Sequence, residues 1–108
     1  MSQDTVEYLP DAYLAFRDRY RPVAEALDSL GEATGAAGPL DERTAALVRL
    51  GVAVGSLSEG SVRSNVRKAI AAGASADEVR HVAVLAIPTR GFPSTVAALH
   101  WIDEVLSA

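Results

Sequence analysis

Three neutral polar side chains, Ser58, Ser61 and Asn65, sit in the stretch Ser56–Gly73, S-L-S-E-G-S-V-R-S-N-V-R-K-A-I-A-A-G. On a helix, at about 100° per residue, they fall within roughly 60° of one another, at the edge of an apolar stripe of Val62, Val66 and Ala69. Hydroxyl and amide groups in the first turns of a helix lie beside unpaired backbone N–H groups, so this edge suits hydrogen bonding to a small polar or anionic molecule. Arg43, Arg49 and Arg63 are the cations available to pair with such a ligand. Serine hydrolysis through Ser58 or Ser61 would need a histidine within hydrogen-bond reach. The chain offers His81 and His100, the two candidates for general acid–base work. Their spacing does not direct either one to the serines, and the ordinary reading of each is a surface or interfacial histidine.

The elements that hold these residues read as helices throughout. Residues 1–9 are polar and expected to form a loose or extended arm. Pro10 and Asp11 open a helix bearing Tyr13, Phe16 and Tyr20 at i, i+3 and i+7, and Pro22 either kinks it or starts a second helix carrying Val23, Ala26, Leu27 and Leu30. The run G-E-A-T-G-A-A-G-P-L at 31–40 reads as a loop. Asp41 caps the next helix, which runs to about Val54 and, with Arg49 its one charge after residue 44, is expected to be buried on most sides. Arg49 itself then either snorkels to the surface or is a buried cation awaiting a carboxylate or anionic ligand. Ser56 with Glu59 has the form of a capping box that would start the helix ended by Gly73. Ser75 with Glu78 repeats that form ahead of Val79, Val82, Ala83 and Ala86, and Pro88 ends the helix. After the turn T-R-G-F-P, a last helix from Pro93 or Ser94 turns Val96, Ala97, Trp101 and Val105 inward. No segment alternates as a strand does. The fold class expected is all-α, a single domain over residues 1–108 with five or six helices in an orthogonal bundle.

Composition narrows the function by exclusion. There is no cysteine, which removes thiolate catalysis, disulfides and Cys-ligated metals together. Two histidines 19 positions apart give no metal-site spacing, and no cofactor is implied. A net charge of −4 with no basic run argues against nucleic acid, and no apolar run is long enough to span a membrane. The N-terminus M-S-Q-D-T-V-E-Y lacks a basic and then apolar leader, so the cytoplasm is the expected location. Apolar side chains on the helix at 41–54 and on the last helix exceed what one small bundle can cover. A homo-oligomer with helices packed across its interface is therefore expected, and Ala45, Ala46, Gly51 and Ala53 would permit close approach.

The order L-D-E-R-T-A-A-L-V-R-L, then N-V-R-K-A-I-A-A-G-A-S-A-D-E-V, then R-G-F-P resembles the alkylhydroperoxidase D/carboxymuconolactone decarboxylase family over roughly residues 39–100. The resemblance implies an all-helical protein that assembles as a dimer, trimer or hexamer. It also implies where reactive groups would lie. The thiol-dependent branch carries two cysteines and a histidine at the positions held here by Ser58, Ser61 and Asn65, and a glutamate at the position of Ala46. A serine hydroxyl is un-ionised near neutral pH and has no sulfenic or disulfide state, so peroxide reduction by the thiol route is excluded. The decarboxylase branch works without cysteines but resembles the thiol branch in using the histidine and glutamate positions. Three readings follow. The chain is a cysteine-free family member binding a small carboxylate-bearing molecule, with or without turnover. Alternatively, it is a decarboxylase or lactone-processing enzyme, a lyase in type, built on rearranged residues. In the third reading it is a non-catalytic oligomeric protein whose serines merely start a helix.

Overall fold

The computed structural model describes residues 11–108, so the expected arm at 1–9 and the start at Pro10 lie outside the described residues. Six helices of nine residues or more and one single turn make up the described chain, with no strand among the described residues. They are α1 (Asp11–Arg19), α2 (Arg21–Ala36), α3 (Glu42–Ser56), α4 (Glu59–Ala71), α5 (Ala76–Leu85), the turn α6 (Ile87–Arg90) and α7 (Phe92–Ser107). The chain forms two compact units, one ending at Pro39 and the other spanning Leu40–Ala108.

In the first unit Pro22 occupies the first turn of α2, where its missing N–H costs nothing, and the break from α1 falls at Tyr20. Arg17 of α1 grips Asp28 of α2 through two bonds, 2.6 and 3.1 Å long, and also donates to the Tyr13 hydroxyl at 3.1 Å. The loop expected over 31–40 is shorter than the sequence indicated, because α2 continues through Ala36. Gly31 and Gly35 each cost the helix about 1 kcal/mol, but Glu32, Ala33 and Ala36 favour it, and the Thr34 hydroxyl donates back to the Gly31 carbonyl at 3.0 Å. Ala24 is the buried residue of the pair, while Tyr13, Phe16, Tyr20, Val23, Leu27 and Leu30 all stay exposed.

The second unit is built on four helices, packed in the cyclic order α3, α4, α7, α5. Its core is fine-grained. Ala46, Leu50, Ala53 and Val54 of α3 meet Val62, Val66 and Ala69 of α4, Val79 and Ala83 of α5, and Ala98 and Ile102 of α7. Short side chains bring the helices close, and Leu50 and Ile102 fill the centre. Three arginines brace the seams. Arg43 joins α3 to Glu78 of α5, Arg80 joins α5 to Asp103 of α7 at 2.9 Å, and Arg63 joins α4 to Glu104 of α7.

Local chemistry explains the helix ends. The Asp41 carboxylate accepts from the Thr44 N–H at 2.7 Å, and Ser75 and Glu78 close the expected capping box with bonds of 3.1 and 2.9 Å. The box expected at Ser56 and Glu59 does not form. Instead α3 runs on through Ser56, whose hydroxyl donates to the Val52 carbonyl at 2.9 Å, and Leu57 closes it in the left-handed conformation (φ 52°, ψ 38°). That leaves Ser58 to flank α4 and Glu59 to begin it. At the other end Gly73, at φ 100°, lets its own N–H reach the Ile70 carbonyl at 3.0 Å and the Ala74 N–H reach that of Ala69 at 2.9 Å, a Schellman closure.

Two burial expectations are also corrected. Helix α3 buries one stripe only, leaving Val48 and Val52 exposed at 52% and 66%. Helix α7 begins at Phe92 and buries Thr95, Ala98 and Ile102, with Ala97, Trp101 and Val105 half-buried and Val96 outside. A threonine can lead that inward stripe because its hydroxyl is satisfied locally, by the carbonyls of Gly91 and Phe92 at 3.1 and 3.0 Å.

Two glycines, one inside α4 and one just past its end, separate these effects experimentally. Gly73→Ala places a side chain at φ 100° and should destabilise the protein by about 1–2 kcal/mol in urea titrations. Gly60→Ala, in a helical position with open space around it, should instead stabilise by about 0.5–1 kcal/mol. Equal effects at the two positions would contradict the backbone assignment.

Candidate functional site

The start of α4 is under-committed. Ser58 has the extended backbone of a capping residue (φ −95°, ψ 104°), yet its hydroxyl makes no capping bond. Ser58 and Ser61 are both exposed, and neither hydroxyl has a hydrogen-bond partner among the described residues. Asp41 and Ser75, at the starts of α3 and α5, do bond their own helices. Only at α4, among these three, are the side-chain oxygen and the first backbone N–H groups left to other partners. Asn65, one turn on and half-buried, donates its amide to the Ser61 carbonyl at 2.8 Å and keeps its oxygen as an acceptor. The structure thus places Ser61 and Asn65 on one edge of α4, beside the buried Val62, Val66 and Ala69, with Ser58 flanking the start of the helix.

The arginines fall elsewhere. Arg43 lies 13 residues before Ser56, about 20 Å along α3 from the start of α4, and it donates to Glu78. Arg63 is two residues from Ser61, about 200° around the helix. It donates to Glu59 at 3.0 Å and to Glu104, and the bond to Glu104 raises its pKa. Arg49 is exposed on α3, again about 200° around from Gly51, the glycine that faces Val82 of α5. It is therefore a surface cation and not a buried one.

Neither histidine joins the serines. His81 is exposed on α5. His100 is 69% exposed on α7 and lies 3.4 Å from Glu104, on the Arg63 side of α4 and so away from Ser61. Ala46 is buried at 8% exposure, packed into the core of the second unit. No group of three His, Cys, Asp or Glu side chains able to hold a metal occurs among the described residues, and no described helix is long and apolar enough to cross a membrane.

With this geometry in place, comparison gives the class. Residues 21–104 match the carboxymuconolactone decarboxylase family, and the chain belongs to that family as a member without cysteine. No individually curated protein and no solved structure matches the chain.

Sequence reasoning missed the carboxylates that occupy the arginines. Glu78 was legible as a capping residue, but its bond to Arg43, 35 positions away, carries no local signal, and the same holds for Arg63 with Glu104. These contacts hold several carboxyl groups below their ordinary range. For Glu78 the Ser75 N–H is the main cause and Arg43 the next, for Glu104 it is Arg63, and for Asp41 it is the Thr44 N–H. A carboxylate whose pKa is depressed by folding adds stability that is full above its unfolded pKa, about 4, and is lost as pH falls through the folded value. The urea midpoint should therefore be level above about pH 5 and fall below about pH 4. Glu78→Gln should lower the neutral-pH midpoint and make the acid limb shallower, and an acid limb unchanged in that variant would remove Glu78 from this account.

Proposed function

We propose that this cysteine-free member of the carboxymuconolactone decarboxylase family binds a small carboxylate-bearing organic molecule at the start of α4 and has lost the family's chemistry. The observation that carries this reading is the uncommitted start of α4, where the hydroxyls of Ser58 and Ser61 and the first backbone N–H groups have no partner among the described residues. Such donors, with the positive end of the helix dipole behind them, favour an anion. Asn65 adds an acceptor for a hydroxyl or protonated group of the ligand. Turnover is disfavoured because His81 and His100 are both exposed and His100 is engaged with Glu104.

Calorimetry against a panel of mono- and dicarboxylic acids tests the reading. A saturable ligand should be found whose affinity drops about tenfold or more in Ser58→Ala or Asn65→Ala. A silent panel would remove the binding role, and decarboxylation or lactone turnover sensitive to His81→Ala or His100→Ala would restore the enzymatic alternative.

We further propose a homo-oligomer. The support is the amount of large apolar surface left outside: Val48 and Val52 of α3, Val84 and Leu85 of α5, and Phe92 and Val96 of α7, besides the exposed stripe of α1 and α2. Light scattering should give a mass at a multiple of 11.3 kDa, and Val52→Glu should shift it downwards. A monomer at micromolar concentration would refute this assembly.

A further inference from the structure

Four arginines of the described chain are half-buried, and three of them are answered by carboxylates: Arg17 by Asp28, Arg63 by Glu59 and Glu104, Arg80 by Asp103. The fourth is Arg67, on α4. Among the described residues it has neither a hydrogen-bond acceptor nor an ion-pair partner. A guanidinium drawn partly out of water without an acceptor is unfavourable, which is why the other three are paired. Its surroundings oppose the charge further: burial lowers the Arg67 pKa, and the neighbouring positive charge of Arg63 lowers it again.

A second donor stands beside it. Ser64 lies one turn earlier, about 60° around the helix, also half-buried and with no hydrogen-bond partner among the described residues. No buried side-chain nitrogen or oxygen of the described chain lacks a partner. The free groups of Arg67 and Ser64 therefore still open to solvent and can be reached by a solute. We propose that Arg67 and Ser64 form an oxyanion site, taking a carboxylate or phosphate group with the guanidinium fork on two oxygens and the serine hydroxyl on one of them. The guanidinium end of this site is set apart from Asn65, since residues 65 and 67 differ by about 200° around α4.

The test is thermal unfolding and calorimetry with sodium acetate, sodium phosphate and, at matched ionic strength, sodium chloride. The wild-type protein should show a saturable rise in melting temperature with acetate or phosphate and none with chloride. The stronger of the two arms identifies the headgroup. Arg67→Gln should abolish the rise, Arg67→Lys should weaken binding about tenfold or more, Ser64→Ala should weaken it less, and Arg90→Gln, at an exposed position, should leave it intact. In chloride alone Arg67→Gln should melt no lower than wild type, since it removes an unanswered charge; a clearly lower melting point would show that the chain itself uses Arg67 and would overturn the site. So would a wild type that responds to neither anion, or a response that survives Arg67→Gln. Ser58→Ala separates this site from the carboxylate-binding role proposed for the start of α4. Loss of the response there and not in Arg67→Gln would move the anion to the start of α4 and remove it from Arg67.

Discussion

The burial of one face of α4 governs the arrangement of the second unit. Val62, Val66 and Ala69 are each fully buried, so the rotation of α4 about its axis is fixed. A turn of even a third of the circumference would drive Arg63 or Ser61 into the core, at a desolvation cost the small apolar cluster cannot offset. With the rotation fixed, every polar residue of the helix is assigned to a flank. Ser61 and Asn65 take one side of the buried stripe, and Arg63 takes the other, with Arg67 beyond it. The separation of Ser61 and Asn65 from Arg63 and Arg67 is a geometric consequence of where three apolar residues fall.

Ion pairs then complete what packing begins. The seams α3/α5, α5/α7 and α4/α7 each carry one arginine–carboxylate bridge, and each bridge is exposed enough that its contribution is modest and salt-sensitive. Their role is better described as orientation, since a planar guanidinium fixes direction as well as distance. The fourth seam, α3/α4, is held by the chain itself: Leu57 and Ser58 join the two helices directly. The left-handed Leu57 is the strained point of that join. It closes α3 through its N–H to the Val54 carbonyl at 3.1 Å, and the shortness of the turn leaves Ser58 as the flanking residue of α4.

Much of this was legible in the sequence because its causes are local. Asp41, the Ser75–Glu78 pair, Pro22 and Gly73 act within four residues of themselves, and each marks the helix end expected of it. The failures have physical reasons. The Ser56–Glu59 pair has the right spacing for a capping box, but the helix before it outcompeted the box for Ser56. The glycines of 31–40 signalled a loop, while the alanines and glutamate between them sufficed for helix. Thr95 is a core residue that an apolar pattern does not mark, because two backbone carbonyls satisfy its hydroxyl. The candidate site divides the same way. That Ser61 and Asn65 share an edge follows from helical period, whereas Ser58, expected beside them, stands in extended backbone ahead of the helix. Which arginines are already occupied depends on partners 35 and 41 positions away, and no local pattern reports them.

The residues that stand where the family resemblance places reactive groups also bear on packing. Ala46 stands where the family resemblance places a glutamate, and it is one of the buried residues of the core. A carboxyl group there would be desolvated, its pKa raised towards the range useful for proton transfer, and it would need a buried partner. An alanine closes the apolar cluster without any such demand. Asn65, where the resemblance places a histidine, turns its amide back to the Ser61 carbonyl of its own helix. Packing and polar chemistry are thereby divided within α4: its inward face is filled by apolar side chains, and the Ser58 hydroxyl at its start makes no capping bond.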